Sequence, residues 1–200
     1  MGSSIRNVIF DMGGVLMRFD GRFFASFYAP SEADARAISE ALFESSSWPL
    51  LDAGVIDEDT MERVAAAALP ERLHAPLHEC FAHWHEHSDP YPEANELALR
   101  LKREGYGIYL LSNAGKRFTE QSRRMTAFPY MDGWLVSAWE RVMKPDPAIY
   151  QLICERYALD PATCLFVDDN ANNVEGARLA GMRGFLYEGD AGALERAILG

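Results

Sequence analysis

Four short stretches hold side chains able to do chemistry, and each follows or adjoins a short apolar run. Phe10-Asp11-Met12-Gly13-Gly14-Val15 puts a carboxylate directly after Val8-Ile9-Phe10, with two glycines behind it that let the backbone approach a ligand closely. Leu111-Ser112-Asn113 offers a hydroxyl and an amide, Lys144-Pro145-Asp146-Pro147 a cation, and Val167-Asp168-Asp169-Asn170 a pair of acids. Taken singly, each has a commoner use. An acid after a strand usually serves a turn, a lysine is usually solvated, and Ser or Asn often caps a helix. Together they supply a carboxylate nucleophile, hydrogen-bond donors, a positive charge and hard oxygens for a divalent cation.

Five runs read as strands: Asn7 to Phe10, Gly107 to Leu111, Trp134 to Val136, Cys164 to Val167 and Gly184 to Tyr187. Helical stretches alternate with them. Ala94, Leu97, Ala98 and Leu101 recur at i, i+3, i+4 and i+7 between Pro92 and Glu104, with Gly105 as the stop. Asp146-Pro147 opens a helix through about Tyr157, and Asn172 to Ala180 ends at Gly181. The alternation predicts an α/β fold, a three-layer, doubly wound, Rossmann-like parallel sheet of five strands whose carboxyl edge binds the ligand. Residues 18–90 break the alternation with helical spacing and helix-start signals at Ser31 and Asp57. They predict a helical cap inserted in a core formed by residues 1–17 and 91–200.

The 200 residues include 30 acidic and 19 basic ones, a formal charge of −11, and the mean hydropathy is −0.17. That charge disfavours nucleic acid and anionic lipid as partners. No apolar run approaches the roughly 18 residues of a membrane span. Cys80, Cys154 and Cys164 are odd in number and far apart, as expected of buried thiols in a reducing, cytoplasmic setting. Met1-Gly2-Ser3-Ser4 begins like a myristoylation signal, but Arg6 stands where Ser or Thr is required.

The phrases FDMGGV, LLSNAG, KPDPAIY and FVDDNANNVEGA, in this order and spacing, resemble the four motifs of the haloacid dehalogenase superfamily. The resemblance spans about residues 5–190, and the insert matches that superfamily's helical cap. It implies that Asp11 attacks phosphorus and forms an aspartyl-phosphate. It implies further that Asp11, the Gly13 carbonyl, Asp169 and Asp168 hold Mg²⁺, with Asn173 supporting that shell. Ser112, Asn113, Gly13 and Gly14 would hold phosphate, and Lys144 would neutralise charge on Asp11 and the phosphoryl group. The implied activity is hydrolysis of a small phosphorylated metabolite by a monomer or homodimer, and the loop resembles that of bacterial sugar-1-phosphate phosphatases.

One position departs from the pattern. Most of these phosphatases carry a second Asp two residues after the nucleophile, as general acid and then base, and this chain has Gly13. Asp20, at the hinge to the cap, is a candidate substitute, although a hinge or helix-capping role is commoner for such a residue. Two other functions stay open: a metal-independent 2-haloacid dehalogenase, and a binding or regulatory protein with little turnover. His83-Trp84-His85-Glu86-His87 contains the H-x-x-E-H spacing of a zinc-protease helix, but Ser88-Asp89-Pro90 stops any helix there. Phe23, Phe24, Phe27, Tyr28 and Trp48 could wall the site, though aromatics at helical spacing are more often core.

Overall fold

Each apolar run forms a strand in the computed structural model, which describes residues 4–200; Met1, Gly2 and Ser3, where the myristoylation comparison begins, lie outside the described residues. The strands are β1 (Asn7–Phe10), β2 (Gly107–Ser112), β3 (Gly133–Val136), β4 (Cys164–Asp168) and β5 (Arg183–Leu186). They form one parallel sheet in the order β3-β2-β1-β4-β5. β5 begins one residue before the expected start. β1 is central, with Asn7 in register with Gly107 on one side and Cys164 on the other.

The helices are α1 (Gly21–Ser26), α2 (Glu32–Leu42), α3 (Trp48–Asp52), α4 (Glu58–Ala67), α5 (His74–His83), α6 (Pro92–Arg103), α7 (Phe118–Gln121), α8 (Ser137–Glu140), α9 (Pro147–Tyr157), α10 (Ala171–Leu179) and α11 (Ala191–Leu199). Side chains alternate across a strand, so consecutive strand residues enter different cores. Val8, Phe10, Leu110, Leu165 and Val167 pack with Leu97 and Leu101 of α6 and Leu194 of α11. Ile9, Leu111 and Phe166 pack on the opposite face with Ile149, Tyr150 and Ile153 of α9 and Ala177 of α10. This produces the three layers.

Local chemistry sets the helix ends. Asp146 accepts from the Ala148 N–H ahead of Pro147, Ser31 accepts from Asp34 N–H, and Asp57 accepts from Thr60 N–H. Asn170 caps α10, which therefore starts at Ala171, one residue earlier than expected.

Helices α1–α5 lie in the insert and share an apolar cluster that includes Phe24, Ile38, Leu42, Met61, Leu77 and Trp84. Burying each large side chain there contributes roughly 1.5–3 kcal/mol, so this segment carries a core of its own. Its entry and exit run side by side: Arg18 N–H donates to the Asp89 carbonyl at 2.8 Å, and Ser88 Oγ donates to the Arg18 carbonyl at 2.7 Å. Buried Asn95 of α6 pins the loop after β1, donating to the Leu16 and Tyr91 carbonyls and accepting from Ala127 N–H.

Candidate active site

The chain winds outward from β1 through β2 to β3 and then crosses to β4, beside β1. The carboxyl ends of β1 and β4 therefore flank the crevice where the winding reverses, the preferred ligand site of such sheets. Asp11 leaves β1 into this crevice and Asp168 ends β4. Lys144, 2% exposed, lies between them, its Nζ 2.7 Å from Asp11 Oδ1 and 2.7 Å from Asp168 Oδ2. Asn173 Nδ2 donates to both Asp168 oxygens at 3.0 and 3.1 Å, and Asn170 N–H donates to Asp168 Oδ1 at 2.8 Å. The Asn113 side chain is engaged with the backbone of Lys144, donating to its carbonyl and accepting its N–H, both at 2.9 Å. That pair fixes the loop from which the lysine reaches inward.

Asp11, Asp168 and Asp169 each present an oxygen within 4.8 Å of the others. Asp168 is fully enclosed and spoken for, whereas Asp169 stands at the exposed rim. Burial, opposed by Lys144 and reinforced by Asp168, raises the Asp11 carboxyl to about 7. The Asp169 pKa is raised as well, by desolvation and then by Asp168. Burial disfavours the Lys144 ammonium, but Asp11 and Asp168 outweigh it and hold the group charged. Three acids face one lysine in a crevice of hard oxygens, a donor set suited to Mg²⁺. Gly14 makes room for this cluster: its φ is +74°, and a Cβ there would fall 2.0 Å from Asp169 Oδ2.

Above the acids lies a cavity of about 240 Å³ whose floor includes Asp11, Gly13, Ser112 and Asn113. Its upper wall comes from the insert and is mostly aromatic: Phe19, Trp48, Phe81 and Trp84 with Leu51. Trp84 Nε1 is buried without a hydrogen-bond partner. Arg117, from the core, bridges to the insert through Glu58 at 2.9 and 2.8 Å and through the Phe81 and Ala82 carbonyls at 2.6 Å each. The guanidinium holds the Glu58 carboxyl below its usual range. Asp52, 9% exposed at the end of α3, faces the same cavity.

The structure thus brings Asp11, Gly13, Gly14, Ser112, Asn113, Lys144, Asp168, Asp169 and Asn173 to one crevice. Asp20 is elsewhere. It caps α1, accepting from Phe23 N–H at 3.0 Å, and borders a separate groove with Arg22 and Ser31, so its short side chain serves the hinge rather than the cavity. The histidines of H-x-x-E-H diverge: His83 pairs with Glu86, His85 with Glu120, and His87 stacks on Phe27 at 3.6 Å. Of the five aromatics weighed as a wall, only Trp48 lines the cavity. Sequence reasoning missed Phe19, Phe81, Trp84, Glu58 and Arg117, because nothing in their spacing separates a cavity wall from a helix core.

The chain is a doubly wound α/β protein with a carboxylate at the switch-point strand end, a lysine bridging it to a second acid and an insert overhead. The chain belongs to the haloacid dehalogenase-like hydrolases, whose family profile matches residues 5–181. It is 29% identical to phosphatase MT3486 of Mycobacterium tuberculosis (strain CDC 1551 / Oshkosh), over 92% of this chain and 88% of that protein. Its fold is similar to that of the L-2-haloacid dehalogenase RSc1362, with a TM-score of 0.77 at 21% identity over 99% of this chain and 100% of that one. It is also similar to the haloacid dehalogenase family enzyme bt-2542 of Bacteroides thetaiotaomicron, solved in complex with magnesium and inorganic phosphate. That match has a TM-score of 0.72 at 21% identity, over 94% of this chain and 96% of that one.

Proposed function

We propose that the protein is a Mg²⁺-dependent phosphatase of small phosphate monoesters, sugar phosphates among them, working through an aspartyl-phosphate on Asp11. The observation that carries this reading is the Asp11–Lys144–Asp168 bridge with Asp169 beside it, a nucleophile built into a cation site. Similarity to a protein named as a phosphatase supports it.

Asp11, Asp169 and the Gly13 carbonyl would hold Mg²⁺, with Asp168 as a direct or water-mediated partner, and the ion when bound would neutralise phosphate charge. Lys144 keeps Asp11 oriented and adds positive charge beside the phosphoryl oxygens. Asn173 and Asn170 fix Asp168, and through it the lysine. Ser112 and the backbone after it donate to phosphate oxygens. Asp11 attacks phosphorus, the leaving alcohol departs toward the insert, and water then hydrolyses the aspartyl-phosphate. The small aromatic cavity favours a compact leaving group, and the free Trp84 N–H suits an oxygen on it. Residues 18–90 act as the cap that shields this chemistry from bulk water. No helix among the described residues is long and apolar enough to cross a membrane, and a cytoplasmic location is part of the same proposal.

Phosphate release from a panel of phosphorylated metabolites tests the reading. Activity is expected with Mg²⁺, is lost on chelation and returns on Mg²⁺ addition, and Asp11→Asn falls to background while keeping its circular dichroism. Asp169→Ala should raise the Mg²⁺ concentration for half-activity by about 10–100-fold. Likeness to a dehalogenase fold keeps a second reading in view, and halide release from 2-haloacids in excess chelator would establish it instead.

A further inference from the structure

We propose that Asp52, carried over the site by α3, is the proton donor to the leaving-group oxygen, supplying from the insert the acid that Gly13 lacks. This rests on the phosphatase reading.

Asp52 and Asp11 face one cavity. The Asp52 carboxyl sits beside Trp48 and Gly115, its Oδ1 3.9 Å from where a Gly115 Cβ would stand, just past Ser112. Core contacts lock α3 in this place. Ser137 Oγ donates to the Asp52 carbonyl at 2.5 Å while accepting from Ala114 N–H at 3.1 Å. Gly54 has a φ of +67°, and a Cβ there would meet the Ala138 carbonyl oxygen at 2.4 Å, so a glycine is required for the approach. The carboxyl is preorganised over the floor of the cavity rather than carried on a free loop.

Elimination points to the same residue. Asp11 is the nucleophile, Asp169 belongs to the cation cluster, and Glu58 is ion-paired to Arg117. Asp52 forms no salt bridge among the described residues. Burial, the largest cause, pushes its carboxyl up to about 8, with Asp11 adding and Gly115, Trp48 and Lys144 opposing. Of the charged groups on neighbouring elements, Glu58 is paired with Arg117 and Glu140 of α8 with Arg156. Asp52 is therefore mostly protonated at neutral pH, as a general acid must be.

In the first step an Asp11 oxygen bonds to phosphorus, the bond from phosphorus to the ester oxygen breaks, and the Asp52 proton moves to that oxygen as the alcohol leaves. In the second, the Asp52 carboxylate takes a proton from the attacking water. Phosphate departs, and both aspartates return to their starting states.

The test measures kcat/KM for aryl and alkyl phosphates of graded leaving-group pKa, in wild type and Asp52→Asn, with Mg²⁺ saturating. Asn keeps the size and shape of the carboxyl beside Gly115 and Trp48 but has no acidic proton. The wild-type plot should be shallow. The variant should lose about 10²–10⁴-fold on alkyl phosphates and less than tenfold on para-nitrophenyl phosphate. With the latter it should show a burst of nitrophenol, because the base for the second step is also gone. Wild-type kcat/KM for alkyl phosphates should fall as rising pH ionises Asp52, whose pKa burial raises, and the variant should lack that limb. Equal losses across the series, with the pH limb kept, would overturn the role while leaving the phosphatase reading intact. Should Asp52→Asn fold poorly, a steep wild-type plot overturns it alone. No phosphate release by wild type from any ester removes the phosphatase reading and the role with it.

Discussion

Gly13 and Gly14 are neighbours under different constraints. At Gly14 any side chain meets both a left-handed backbone and the Asp169 carboxylate, so Gly14→Ala should displace that acid and weaken Mg²⁺ activation about tenfold or more, measured by titrating the metal against activity. Gly13 lies outside the left-handed region, and a Cβ there would stand 3.2 Å from Phe19 Cβ, a contact that a small shift relieves. Gly13→Asp should therefore fold. Its gain on alkyl phosphates should be small in the wild-type background and large in Asp52→Asn, an interaction read as a double-mutant cycle. Asp52 also leaves a mark on stability. A carboxyl raised from 3.8 to about 8 in the folded state contributes stability fully present below about pH 4 and lost as pH rises toward 8. In metal-free protein, Asp52→Asn should melt above wild type at pH 8, with the difference shrinking toward pH 4. The acids at the strand ends were legible because position and type together mark them. Asp52 was not, since its chemistry comes from burial by residues distant in sequence.

At the scale of elements, short apolar runs and capping residues revealed what they physically determine. β1, β2 and β4 are buried on both faces, and Asp146, Ser31 and Asp57 cap the helices they announce. Shorter or late elements left weaker traces: α7 and α8 have four residues each, too few for a period, and β5 is partly exposed, which blurred its start. Asn95 shows another blind spot. It interrupts the apolar stripe of α6 as a surface residue would, yet it is fully buried and joins the loop after Asp11 to Tyr91 and Ala127. Asn95→Ala would leave those groups unpaired and should lower unfolding free energy by about 1–3 kcal/mol in denaturant titration. It should also reduce kcat, because the loop that presents Asp11 loses its anchor.

Across the whole molecule, the insert and the core meet through few polar ties, and Arg117 makes four of the bonds that cross between them. Arg117→Ala should loosen the cavity roof and raise KM more than it lowers kcat, as steady-state kinetics on one good substrate will show. The fold class and the insert were readable from where alternation stops, but the packing of insert on core was not, because it depends on single contacts such as Ser137 with Asp52. The central place of β1 in the sheet has a further consequence, in the order of assembly during synthesis. Its partners lie far along the chain, with Asn7 beside Gly107 and Cys164, while the Phe24–Trp84 cluster is contiguous. At about 5–20 residues per second, a ribosome delivers the second partner roughly 8–30 s after the first strand. The apolar Val8-Ile9-Phe10 segment waits that long beside an insert that can already have collapsed, since local contacts form first. Pulse-labelled hydrogen exchange during refolding should find insert amides protected before those of β1, making the roof of the site older than its nucleophile.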